Sequence, residues 1–306
     1  MMSYLFLEQW LPLLIGAAET SDVHSLSRIN LIQALIIGVI QGLTEFLPIS
    51  STAHVKIVPV ILGWGDPGVA FTAIIQLGSI AAILSYFWAD LRQLIVNMAQ
   101  AATESRFDSS DFRVGLGILI GTLPIIFLGG LIKLFIPNFD QSPLRSSAAI
   151  AIASIVMAVF LAMAEILGER KRGFSGLGLL DGVGMGAAQA LALIPGVSRA
   201  GSTLTAGLLM GLERSTAARF SFLMGIPAIT LAGLVELKGF LDAEANYVGL
   251  TPMIGGLISA LISSYLVIFW LLRFLKNHST WVFVWYRLGF GAAILFAIAA
   301  NFLQNV

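Results

Sequence analysis

The sequence predicts an all-α integral membrane protein, with six transmembrane helices plus two re-entrant helical hairpins arranged as inverted-topology repeats. Three observations predict it. The first is composition: 58% of residues are hydrophobic, only 11% are charged, and the mean hydropathy is +0.91. A soluble domain carries about a quarter charged residues, and the apolar runs here are long and unalternating, which selects helices over a barrel. The second is a pair of matching interruptions. GVIQGLTEFLPISSTAH (38–54) and GMGAAQALALIPGVSRA (184–200) each carry a Gln, then a Pro six or seven residues later, then a Ser where a new helix starts. The third is the count that follows: three apolar runs come after each interruption, and an odd number of spans per unit inverts the second copy. The chain has no Cys and three His, which excludes disulfides, a thiolate nucleophile and a Cys/His zinc centre.

In chain order, residues 4–18 are apolar but broken by Glu8, Gln9 and Pro12, and lack the basic start and cleavage site of a signal peptide. They read as an interfacial helix, followed by a polar linker from Glu19 to Arg28. Residues 1–28 are thus an N-terminal extension to a single membrane domain over 29–303. Its first repeat, 29–167, opens with two half-length helices over 29–47 and 50–63 that meet at Pro48, whose ring removes a donor and disfavours helix at the residue before it. Spans are expected at 69–88, 113–136 and 146–167, with a partly helical polar loop at 89–112. After the basic loop GERKRGFSG (168–176), the second repeat, 177–303, restarts the pattern. A Gly-rich helix over 177–195 breaks at Pro195-Gly196, a short helix runs from Ser198 to Gly211, and spans follow at 216–237, 249–273 and 281–303. The alternative is that both breaks are proline kinks in full spans. Arg92, Arg106, Arg113, Arg170, Lys171, Arg172, Arg214, Arg219, Arg273 and Lys276 fall on one side, against Arg28, Arg145 and Lys238 on the other. The first side is cytoplasmic by the positive-inside rule, so the first hairpin enters from outside, the second from the cytoplasm, and their tips can meet.

The first break gathers Gln41, Glu45, Ser50, Ser51, Thr52 and His54 inside apolar surroundings. Gln41 and Glu45, four apart, share a helix face. Ser50 or Ser51 caps the next helix, whose first amides are free to bind an anion. An ionised Glu45 needs a cavity and a partner; a packing carboxyl is the plainer reading. His54 lies one turn into the second half-helix on the side of Ser50 or Ser51, and suits a general base or a proton shuttle. In PGVSRAGST, Arg199 stands beside free helix amides, Ser198, Ser202 and Thr203, an arrangement suited to phosphate, while Gly196 and Gly201 permit close backbone approach. Gln189 corresponds to Gln41 in a supporting role. Gln76, Ser79, Lys133, Glu165, Glu236 and Arg287 are weaker signals: Lys133, Glu165 and Glu236 read as interfacial, and Arg287 as a structural residue pairing with a carboxylate.

QGLTEFLPISSTAH and PGVSRAGST together resemble the two motifs of the undecaprenyl-diphosphate phosphatase family, also called bacitracin-resistance proteins. The resemblance runs from residue 29 to the end and includes FSFLMGIP and Tyr286-Arg287. It implies removal of the terminal phosphate of undecaprenyl diphosphate, giving the monophosphate carrier for peptidoglycan, on a fold of six spans and two hairpins that is usually a homodimer in the cell membrane. Bacitracin would compete for the substrate. Carried over, Glu45 matches the acidic residue of the first motif, Ser51 its hydroxyl, His54 its histidine and Arg199 the arginine of the second. Gln41 stands where the family has Glu or Gln, Ala53 where Gly is common, and Ala200 where Ser is common. The resemblance also implies a divalent cation, Mg²⁺ by preference, with Glu45 as its protein ligand and the diphosphate supplying most of the rest.

The expected function is therefore a membrane lipid-diphosphate phosphatase acting through Glu45, Ser51, His54 and Arg199. Ser50, Thr52, Ser198, Gly201, Ser202 and Thr203 would help hold the phosphates. Its partners are the polyprenyl diphosphate and the bilayer, and no nucleic acid is expected. A secondary transporter for an anionic solute, or a lipid flippase, is the rival reading, since inverted broken-helix repeats are also a transporter design. An anion carrier, however, needs Arg199 and helix ends but no base. Whether Ser51 or water attacks phosphorus stays open at this level; His54 is the expected general base, with Glu45 the alternative.

Overall fold

Apolar runs without alternation become helices, and apart from one isolated bridge between Arg172 and Leu212 every regular element among the described residues is helical. The computed structural model describes residues 29–136, 139, 142–242 and 249–305; the interfacial helix expected at 4–18 lies outside them. Helix α1 spans Leu31–Phe46 and α2 spans Ser51–Ile61; α3 is Gly68–Tyr86, α4 Trp88–Thr103, α5 Ser110–Phe135 and α6 Ser147–Leu167. The second half follows with α7 at Leu179–Ala190, α8 at Arg199–Leu209, α9 at Arg214–Asp242, α10 at Leu250–Asn277 and α11 at Trp281–Ala299.

Local chemistry explains where these helices start and stop. Asn30 opens α1 with a capping box: its side chain accepts from the Gln33 amide at 2.9 Å while Gln33 Oε1 accepts from the Asn30 amide at 3.0 Å. The helix stops at Phe46 because Leu47, preceding Pro48, is extended (φ −73°, ψ 144°). Helices α2 and α8 both start immediately after a serine in the left-handed region, Ser50 at φ 77° and Ser198 at φ 73°. A side chain there costs of order 1–3 kcal/mol and persists only where surrounding structure holds it. The two serines differ in capping: Ser198 Oγ accepts from the Gly201 amide at 3.1 Å, whereas the Ser50 side chain makes no cap bond.

Among the described residues five helices, α5, α6, α9, α10 and α11, are long and apolar enough to cross a membrane. A sixth is reached if α3 and α4, bent by 64° at Phe87, count as one broken span. The polar loop expected at 89–112 is thus mostly helix α4, turned aside from α3. Helices α1, α2 and the α7 segment to Leu193 are apolar but short.

The two halves pack reciprocally: α1 lies chiefly on α10, α7 lies chiefly on α5, α3 faces α9, and α6 faces α11. Small residues make the first two crossings close, as in membrane helix pairs where lipid supplies no hydrophobic drive. A Cβ at Gly42 would come within 2.6 Å of the Ala260 carbonyl, and one at Gly182 would collide with the backbone of Gly117. Two charged residues are held inside the protein. Glu165, in the last turn of α6, is 5% exposed and accepts from Arg214 and from the Thr280 hydroxyl at 2.7 Å. Arg287, 1% exposed, pairs with no carboxylate among the described residues. It donates to four carbonyls: Ser154 at 3.1 Å, Pro48 at 3.0 Å, Gly196 at 2.8 Å and Val197 at 3.1 Å. One cation on α11 therefore ties the break between α1 and α2 to the break between α7 and α8.

Candidate active site

The two breaks meet at Glu45. The C-terminal turn of α1 carries Gln41 and Glu45 on one face, and the Gln41 amide donates to Glu45 Oε2 at 3.2 Å. Because Pro48 turns the chain, the first residue of α2 comes back over the same carboxylate, and Ser51 Oγ donates to Oε2 at 2.8 Å. From 154 residues away, Arg199 Nη2 reaches Oε1 at 3.5 Å. The side chains of Arg199 and Glu45 are only 8% and 9% exposed, so this is an ion pair inside the protein, where removing one partner leaves an uncompensated buried charge. Arg199 Nε and Nη1 are buried without a hydrogen-bond partner among the described residues. A guanidinium carries five donors in a fixed fork; here a single long bond uses one of them.

The floor under Arg199 is Gly225 of α9, within FSFLMGIP. A Cβ built there would overlap Nη1 and stand 2.8 Å from Cζ. Glycine at this position is a matter of space: any side chain would displace the guanidinium.

His54 is placed differently from the other catalytic candidates. Its Nδ1 lies 2.7 Å from the Ser50 carbonyl and its Nε2 2.7 Å from the Tyr286 hydroxyl. A carbonyl only accepts, so Nδ1 carries the proton, and Nε2 of the neutral ring accepts from Tyr286. Phe290 stacks on the imidazole at 4.2 Å between centroids. With both nitrogens engaged in this way, His54 holds the left-handed Ser50, while the Ser51 proton points at Glu45.

A cavity of about 300 Å³ opens beside the cluster, lined by Gln41, Ser51 and Thr52 together with Lys56, Asp66, Thr72, Gln76 and Arg145. Of the residues expected to hold phosphate, Thr52 faces this cavity. Ser50 is buried, and its carbonyl serves His54. The hydroxyls of Ser202 and Thr203 turn back on the Arg199 carbonyl, at 3.1 and 2.8 Å, and Thr203 also meets Ser221. Gly201 packs against Ser198 and the Arg287 guanidinium, and Gln189 is fully buried with neither amide atom partnered among the described residues. Sequence reading did not assign Lys56, Arg145 or Gln76 to this wall, nor Tyr286, Gly225 and Arg287 to the support of the site. Gln76 and Arg287 stood out as polar residues in apolar runs, and Lys56, two residues beyond His54, offered a similar local signal.

Among the described residues no three of His, Asp and Glu stand together to hold a metal ion. Both oxygens of Glu45 already accept from protein donors. The side chains present therefore do not make a Mg²⁺ site by themselves. The polar set can pull a proton from Ser51, or from a water in its place, and can neutralise an anion at Arg199.

The sequence profile of the family described as "Bacitracin resistance protein BacA" matches residues 34–293. A protein named undecaprenyl-diphosphatase from a Nostoc species is 60% identical over 290 residues, covering 95% of this chain and 91% of that one. One of the same name from Synechococcus elongatus is 61% identical over 284 residues, covering 93% and 99%. Another from a Synechocystis species is 58% identical over 286 residues, covering 94% and 88%.

Proposed function

The chain belongs to the bacitracin resistance protein BacA family, and on that premise we propose that it is an undecaprenyl-diphosphate phosphatase. It hydrolyses undecaprenyl diphosphate to undecaprenyl phosphate and inorganic phosphate, recycling the lipid carrier of cell-wall synthesis. Relatives near 60% identity over almost the whole chain carry that name. The observation that carries the reading to this molecule is the buried junction of Glu45, Ser51 and Arg199. It sets a base, a hydroxyl and a cation with unused donors against one another beside a polar cavity.

In this reading Arg199 donates to the terminal phosphate and spreads its charge as the bridging P–O bond lengthens. Ser51 Oγ, or a water beside it, attacks phosphorus. Its proton passes to Glu45 Oε2, and undecaprenyl phosphate departs with the electrons of the broken bond; on the serine route a water then attacks the phosphoserine, releasing inorganic phosphate and restoring Ser51. The geometry favours Glu45 over His54 for this first proton. His54 and Tyr286 act behind it, by fixing Ser50 and so the direction in which Ser51 points. The side chains of the site make no cation site by themselves; a divalent cation, Mg²⁺ by preference, would be held chiefly by the substrate's own diphosphate and would supply charge neutralisation there.

The finer architecture belongs to the same proposal: six spans and two re-entrant hairpins in inverted repeats, in the plasma membrane as a homodimer. Reciprocal packing of α1 on α10 and α7 on α5, and the paired left-handed serines, support the repeat. The test is release of inorganic phosphate from undecaprenyl diphosphate by the purified chain in detergent. Turnover is expected; a protein that moves an anion or lipid across vesicles without releasing phosphate overturns the reading in favour of transport.

A further inference from the structure

At the other end of α3 from the Gln41–Ser51 cavity lies a second groove. Thr72 and Gln76 of α3 line the first cavity, and Tyr86 at its C-terminus lines the second. Ten residues of helix put them roughly 15 Å apart along the axis. Two hollows of about 310 and 420 Å³ share Tyr86, Leu272 and Lys276, so they form one continuous groove between α3, α9 and α10. It is on the side where the basic residues gather, which the positive-inside rule places in the cytoplasm.

The groove is cationic. Arg219, Arg273 and Lys276 line it against a single acid, Asp90. Asp90 is already paired with Arg219, which is further fixed over the Phe174 ring at 4.7 Å from its centroid. Arg273 and Lys276 have no ion pair among the described residues. On α9, Thr216 lines the groove 6% exposed, with no hydrogen bond to its hydroxyl among the described residues. A hydroxyl at the groove wall beside two cations without an ion pair suits an acceptor-only group such as a phosphate.

What leads away from the groove decides between a free anion and a lipid. Arg273 and Lys276 continue a stripe on the outer face of α10 at helical spacing: Ile262, Leu266 and Phe269 are 52%, 59% and 50% exposed. A tail lying on that stripe delivers its headgroup to the cations. We propose that this groove binds the phosphate headgroup of an anionic phospholipid, tail along α10, at the face opposite to the catalytic cavity. The proposal does not depend on the hydrolase reading, since it concerns binding at a separate place.

Native mass spectrometry of the full chain in detergent tests it, titrating phosphatidylglycerol, phosphatidylcholine and inorganic phosphate separately. Phosphatidylglycerol should bind several-fold more tightly than phosphatidylcholine. Arg273→Ala with Lys276→Ala should weaken it about tenfold to thirtyfold, from the contribution of each basic residue near an anionic headgroup. Arg106→Ala with Lys171→Ala, which removes two exposed charges elsewhere on the same side, should leave it unchanged. Equal affinity for the two lipids overturns the proposal, as does an unchanged double variant. Inorganic phosphate displacing phosphatidylglycerol at equal concentration would show a free-anion site and overturn it too.

Discussion

Arg287 donates to the carbonyl of Pro48 at 3.0 Å across 239 residues of sequence, and the same guanidinium holds the Gly196 carbonyl at 2.8 Å. Both carbonyls belong to helix breaks, where the backbone has lost its own partners and the membrane supplies none. Lysine keeps the charge but not the fork, so Arg287→Lys should free at least one break. Each buried acceptor left unpaired costs about 1–3 kcal/mol. The expected outcome is a lower thermal midpoint together with a phosphatase rate reduced tenfold or more, with insertion preserved; unchanged values for both would show that the breaks hold themselves.

The Ser51–Glu45 bond makes a prediction about the proton. Glu45→Gln preserves size and most contacts but cannot accept the proton of the nucleophile, so phosphate release should fall by about 10²–10⁴. Ser51→Ala separates the two nucleophiles. A phosphoserine trapped on the wild-type chain, absent in the variant, establishes covalent attack; substantial residual turnover in Ser51→Ala establishes water.

For His54 the structure predicts coupling with Tyr286. Tyr286→Phe removes one hydrogen bond, roughly 1 kcal/mol or about fivefold in rate. His54→Ala should cost more, by releasing Ser50 from its left-handed conformation. In a double-mutant cycle the Tyr286 effect should vanish once His54 is gone. Additive losses would mean that the two residues act separately.

Gly225 offers a check on Arg199 that leaves the arginine in place. Gly225→Ala should push the guanidinium off its seat, at about 1–3 kcal/mol for overpacking, and lower kcat/KM in the direction of Arg199→Lys. Gly130→Ala on α5, where a Cβ meets nothing within 4 Å, is the control and should behave as wild type. Full activity in Gly225→Ala would detach Arg199 from the reaction.

The chain has no Cys, which makes its topology testable with single cysteines. Lys171→Cys in the basic loop should resist an impermeant thiol reagent applied to intact cells, while Asp66→Cys at the mouth of the catalytic cavity should react. The opposite pattern would turn the molecule over and place its cavity in the cytoplasm.

Composition and periodicity by themselves determined that this is a helical membrane protein with two matched breaks, because both follow from local chemistry: long apolar runs, Pro48 and Pro195, and serines at restarted helices. They also singled out Glu45, His54 and Arg199, since polar groups in such runs are costly enough to demand a reason, while the choice of Ser51 over Ser50 came from the family resemblance. Which of these face one another was decided only by tertiary structure. Membrane helices are apolar on lipid-facing and protein-facing sides alike, so no pattern along α11 announces that Arg287 serves both breaks or that Tyr286 meets His54, 232 residues away. For the same reason nothing along α6 or α9 announces that Glu165 meets Arg214 and Thr280, or that Gly225 seats Arg199. The proton of Ser51 goes to Glu45 because the turn at Pro48 brings α2 back over α1, a consequence of three-dimensional closure that spacing along a single helix does not contain.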